Sequence, residues 1–403
     1  MKKSIRTIGY LGLTTAIILA FYQSDTDSLP EEQPSQTGID TSSRNILPLI
    51  TATQQTNMDT ANTGHLEARA NNSTEIPLDE YILSCEEQNI QYIHQGENLE
   101  QELTKYNHAI QHSNKPDEQL AYYLSAQDTD ASEAFEFLRQ FNSQYPSNAL
   151  AYDQLLNLCF AEENINKCDD ELIEKATNVD PNNGIPWLNI AALHQVKGEP
   201  EKALEALGIA IKKPYFDDYH WQLIDFLEQV SDGRLNLSYK ARLVSAIGVA
   251  AAKPVHFYKV IEVCKSSVAN DPVRADVCLS LGKQMEKNST TITAQGLGLN
   301  FQKIYYEATQ DKDALALINK KQSRSYYDSQ LNETTQKTWQ LMKHDDDLYR
   351  FWLQSMLEHG EVKGMQYVVE EAIWRSRDVN YNPCFPSSHK KLLTNQTLSL
   401  NTK

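Results

Sequence analysis

From about residue 78 onward, apolar side chains recur at the three- and four-residue spacing of an amphipathic helix, with no run of alternating β-branched residues. The pattern predicts an irregular helical entry over 81–92 and 99–111, then helices over 118–125, 131–145, 149–162 and 169–179. A regular pair follows over 185–213, broken by the turn Gly198-Glu199-Pro200. Beyond Pro214 the predicted helices are 221–230, 237–252, 255–269, 273–286, 292–309, 313–322, 334–343, 347–359 and 362–374. Tyr145-Pro146-Ser147-Asn148 and Asp180-Pro181-Asn182-Asn183 place Pro and Asn where one helix stops and the next starts. Gly296 and Gly298 would let the helix over 292–309 lie close to a neighbour.

The clearest unit is 180–214, DPNNGIPWLNIAALHQVKGEPEKALEALGIAIKKP. Its first helix puts Trp187, Ile190, Ala191 and His194 on one face, and its second does the same with Ala203, Leu207 and Ala210. Small Ala191 and Ala203 permit close approach, while Trp187 and Leu207 fill the space above and below. This spacing resembles the tetratricopeptide repeat, a helix–turn–helix unit of about 34 residues that stacks into a superhelix. The chain departs from that pattern at Ala191, where a Gly is usual, and at Asp169, where a small apolar residue is usual. The resemblance implies an all-α fold, a right-handed superhelical array of antiparallel helix pairs (a TPR-like α-solenoid). Repeats would cover 80–214, degenerate repeats 215–376, and a C-terminal tail 377–403. The resemblance also implies protein or peptide binding rather than catalysis. The chain has 20 tyrosines, a side chain favoured at interfaces. In a concave groove, Tyr122, Tyr152, Asn157, Asn189 and His194 become candidate peptide contacts, with packing between helices as the competing role for each.

The N-terminus has a different grammar. Lys2, Lys3 and Arg6 precede an uncharged stretch from Ile8 to Tyr22, the form of a basic region followed by a signal core. Ala20 is followed by Phe21, Tyr22 and Gln23, which is a poor cleavage site. We therefore read 8–22 as an uncleaved signal anchor in preference to a cleaved signal, with 1–7 cytoplasmic and the rest across the membrane. Residues 23–79 are rich in Ser, Thr, Gln, Asn and acidic side chains and have few aromatics, so they read as a disordered tether.

All six cysteines follow that tether, as suits an oxidising compartment. Cys159 and Cys168 face each other across a polar turn, and Cys264 and Cys278 flank Asn270-Asp271-Pro272, so both pairs read as staples of local hairpins. Cys85 and Cys384 are left over; the sequence does not fix their pairing, and a bond between them would join the start of the fold to its end. No C-x-x-C is present, so neither a thioredoxin-type site nor c-type haem attachment is supported.

A formal charge of −17, with no long basic run in the folded part, argues against nucleic-acid binding. There is no G-x-S-x-G, Walker or kinase motif, and no cofactor signature. HAIQH puts His108 and His112 on one helix face at a spacing a metal can use, but with no following Glu or third ligand they read as two solvated histidines. His344 with Asp345, Asp346 and Asp347 lacks the Gly and terminal Glu of a calcium loop and reads as an acidic helix cap. Asp217-Asp218 and Glu370-Glu371 read as solvated helix-end charges. The resulting expectation is an inner-membrane-anchored bacterial protein whose periplasmic helical domain acts as a protein- or peptide-binding scaffold or assembly adaptor. The alternatives are an envelope enzyme with its site in 215–376, and a structural spacer.

Overall fold

The computed structural model describes residues 82–83, 85, 99–125, 129–252, 257–326 and 332–384. The signal anchor and the tether lie outside these residues, and so does most of the C-terminal tail. Among the described residues no helix is long and apolar enough to cross a membrane.

Those residues form fifteen α-helices and one short 3-10 turn, with no strands. In chain order the helices are α1 (Leu99–Gln111), α2 (Pro116–Ser125), α3 (Ala131–Gln144), α4 (Ala149–Leu158) and α5 (Asp170–Val179). Next come α6 (Ile185–Val196), α7 (Pro200–Ala210), α8 (His220–Ser231), α9 (Tyr239–Ala251) and α10 (Phe257–Asn270). The last five are α11 (Pro272–Asn288), α12 (Ile292–Ala308), α13 (Lys312–Tyr326), α14 (Glu333–Met342) and α15 (Asp346–Ser376).

Local chemistry sets most of the boundaries. Asp130, Asn148, Asp169, Thr291 and Asn332 each sit at an N-cap and accept a backbone N–H from the first turn, satisfying a donor that the helix cannot. Asp169, out of place for a repeat residue, is thus in place as the cap of α5, accepting from Leu172 N at 2.9 Å. The helix expected over 149–162 stops at Leu158. Buried Asn164 donates to the carbonyls of Leu158 (3.3 Å) and Ala131 (3.0 Å), holding a tight turn that the Cys159–Cys168 disulfide closes. Gly360 breaks α15 with φ of 74°, and a side chain there would meet the Thr290 carbonyl oxygen at 2.8 Å. Gly298 does bring α12 against Gly282 of α11, whereas Gly296 has open space around it.

Between α1 and α7 each helix packs on the next one along the chain, and α4 also packs on α6. Here α4 and α6 are buried on nearly every side. After α7 the packing order leaves the chain order. It is α10 that lies on α6 and α7, and α11 that lies on α7, while α12 and α13 continue outward from them. The intervening α8 packs on α2, α9 and α15. Its apolar residues cover two faces: Phe226 joins Tyr106 and Ala121 on one side, and Trp221 meets Trp352 edge to face at 5.2 Å on the other. The Cys85–Cys384 disulfide then ties the first described residues to the last, and Ile82 is buried in the largest core. The third disulfide, Cys264–Cys278, joins α10 to α11.

Candidate functional site

The five residues expected to line a groove take different places. Tyr152 is 4% exposed, Asn189 5% and His194 9%, so packing between helices claims all three. Burial raises the Tyr152 hydroxyl above its ordinary pKa. His194 Nδ1 lies 2.7 Å from Glu199 Oε2, which fastens the end of α6 to the start of α7. Asn189 and Asn157 are brought together: both donate to the buried Asp153 carboxylate, at 3.1 and 3.3 Å. Half-buried Tyr122 packs against the cluster of Tyr106, Ala121 and Phe226. Only Tyr122 and Asn157 therefore retain partial access to solvent.

A cavity of about 550 Å³ opens between α2 and α3. Its lining is Tyr123, Glu133, Glu136, Phe137, Arg139, Gln140 and Ser143. Tyr123 and Phe137 stack with ring centroids 4.0 Å apart, and Phe141 and Tyr145 continue the aromatic row along α3. The Tyr123 hydroxyl donates to Glu133 Oε1 at 3.0 Å, and burial with that carboxylate pushes its pKa up to about 12. Arg139 pairs with Glu136 at 2.9 Å, and Lys167 approaches the same carboxylate at 3.4 Å. Two stacked rings and five polar or charged side chains thus line the cavity. Tyr123 and Phe137 lie on different helices, so sequence spacing offered no cue to their stacking.

A second cluster forms where four helix beginnings meet. Gly184 N donates to Tyr215 O at 2.8 Å, Phe216 N to Asn288 O at 3.1 Å, Thr290 N to Phe216 O at 3.0 Å, and Glu361 N to Thr290 O at 2.7 Å. Gly184 is required because a side chain there would strike the buried Phe216 ring. Carboxylates crowd this ladder. Asp180 accepts from the Tyr215 and Tyr219 hydroxyls at 2.5 and 2.7 Å. Asp217 accepts from Tyr219 N and Gln222, Asp218 from Thr291 Oγ1 and His220 N, and Glu361 from Ile292 N at the start of α12. Burial first, then the charge of Asp218, pushes Asp217 up to about 6, and the same causes raise Glu361. Asp217 and Asp218 therefore stand at a helix end as expected, but half-buried rather than solvated. Glu371 likewise is buried and paired with Arg375 at 2.9 Å. Each carboxylate of the ladder is already engaged in holding turns together.

Among the described residues no group of three or more His, Cys, Asp or Glu side chains is arranged to hold a metal ion. Asp345 caps α15 through Asp347 N and Leu348 N, and also binds Arg375 and Tyr381. No protein-family model matches the sequence, and no curated protein matches it either.

Proposed function

We propose that the chain is a membrane-anchored, TPR-like helical-repeat protein of the bacterial envelope, acting from the periplasm as a protein- or peptide-binding scaffold or assembly adaptor. The observation that carries this reading is a period in the hydrogen bonds. Asn164 donates to Ala131 O across 33 residues, Lys167 to Ser132 across 35, and Asn189 to Asp153 across 36. Lys213 donates to Pro181 O across 32, Asn183 to Asp217 O across 34, and Tyr215 to Asp180 across 35. These separations cluster at the repeat length of about 34 residues. Between α3 and α6 they join one helical pair to the next, as neighbouring repeats do. We take α2–α7 as the right-handed superhelical part, with 215–376 as degenerate pairs built around it. Three disulfides suit an oxidising compartment. The cavity between α2 and α3 is the docking face we assign.

Proximity cross-linking in native cells, with mass spectrometry of captured partners, tests this. A reproducible envelope partner, captured by the natural protein and lost in an E136A/Q140A/S143A variant that keeps its helicity, is the expected result. Absence of any partner overturns the scaffold, and a partner retained by the variant moves the docking face elsewhere. One observation favours a second reading, an envelope enzyme with its site in 215–376: Asp217 and Glu361 both carry raised pKa values beside Asp218. Turnover of an envelope substrate by the purified protein, abolished by D217N with the fold intact, would favour the enzyme.

A further inference from the structure

A separate feature lies on α1, far in sequence from the carboxylate ladder and independent of the scaffold reading. Tyr106 and Ile110 bury one side of α1 against α2 and α8, which fixes the helix's rotation. His108 lies in the last turn of α1 and His112 in the turn just past its end, four positions on, both exposed, with ring centroids 4.7 Å apart and planes inclined by 34°. A metal ion bound by one nitrogen of each ring at ~2.0–2.1 Å lies ~3.2 Å from each ring centroid. For cis ligand angles of ~90–109° the two centroids must then be ~4.5–5.2 Å apart. The observed separation falls inside that window, and rotation of the two exposed rings is all that is needed to aim a nitrogen of each at one ion. Lys105, the nearest cation on the helix, is held in a pair with Glu102 at 2.7 Å.

We propose that His108 and His112 form a two-imidazole site for a divalent first-row transition ion, with the remaining coordination positions filled by water. Two neutral nitrogen donors and no carboxylate select copper(II), nickel(II) or zinc(II) over magnesium or calcium, with copper(II) bound most tightly. The open positions make the ion exchangeable and available to a ligand atom from a partner.

The test is calorimetric titration of the metal-free full chain with copper(II), nickel(II) and zinc(II) salts, alongside electron paramagnetic resonance of the copper form. The expected result is one copper bound with nitrogen coupling from two imidazoles, and at least tenfold weaker binding in H108A and in H112A. The variant H112Q/S113H keeps the number of histidines but turns the second imidazole off the shared face, and it should be weakened as much as H112A. Hydrogen exchange should show the amides of α1 protected by the metal in the natural protein and not in H108A/H112A. Equal affinity in H108A/H112A would place the bound ion on the chain's other histidines and overturn the site. Unchanged binding in H112Q/S113H, or competition by millimolar calcium, would overturn the chelate equally.

Discussion

Burial and the neighbouring Asp218 hold the Asp217 carboxyl at about 6, above its ordinary value of 3.8. A raised carboxyl favours the folded state while it is protonated. Its contribution is complete below the unfolded pKa and disappears as pH rises through about 6. A shift of this size corresponds to roughly 3 kcal/mol, as an order of magnitude. The ladder around Asp217 should therefore be tighter in mild acid than at neutrality. Urea unfolding at pH 4.5 and pH 7 measures this in the natural protein and in Asp217→Asn. The variant should lose about 1–3 kcal/mol of the difference between the two pH values. Equal differences in the two proteins would show that ionisation of Asp217 is not linked to folding. Asp153 is the contrasting case at this scale. The two asparagine amides it accepts from were expected to meet a peptide, and they serve an internal carboxylate instead.

At the scale of elements, the hairpin from α4 to α5 depends on a turn that neither helix supplies. Asn164 anchors it by two hydrogen bonds, and Cys159 and Cys168 close it, both almost wholly buried. Closing so short a loop restricts the unfolded chain by roughly 2–3 kcal/mol on the chain-entropy account. Replacing the pair by C159A/C168A should lower stability by about that amount, since alanine leaves no polar group in the core. Denaturant midpoints under oxidising and reducing conditions check it. The two proteins should differ when oxidised and converge when both are reduced, and equal midpoints under oxidising conditions would remove the staple from the account. The helices themselves were legible from apolar periodicity because an amphipathic stripe and a capping side chain are both local. Helix 169–179 needed only Asp169 and the residues that follow it. The stacking of Tyr123 on Phe137 joins two helices, and no spacing within either one announces it.

For the molecule as a whole, the Cys85–Cys384 disulfide closes a loop of 299 residues. Around it, Leu83 N donates to Ser376 Oγ at 3.0 Å and Tyr381 donates to Asp345 at 2.5 Å, so the latch carries polar contacts as well as Ile82 in the core. The chain-entropy term grows with the logarithm of loop length, reaching ~5–6 kcal/mol here. C85A/C384A should therefore cost more stability than C159A/C168A. Urea unfolding of the two variants side by side decides the order. A smaller loss from C85A/C384A would mean that α8, wedged between α2 and α15, already holds the two ends together. Either outcome bears on the proposed scaffold, because the latch and α8 both join early segments of the described chain to α15 or the residues just after it.

The sequence by itself determined that the described part of the chain is helical, where most of its helices begin and end, and which cysteines staple the local hairpins. Those features depend on residues a few positions apart, through main-chain hydrogen bonds and an apolar stripe. Tertiary structure decided that Tyr152, Asn189 and His194 are interior, and that α10 rather than α8 lies on α6. It also decided that Asp217, Asp218 and Glu361 share one crowded place. Burial and the ionisation of a carboxyl are set by whatever packs around a residue, and here those neighbours come from segments as far apart as 218 and 291, or 292 and 361. A helix can be read along the chain, but its environment is fixed only when distant helices arrive.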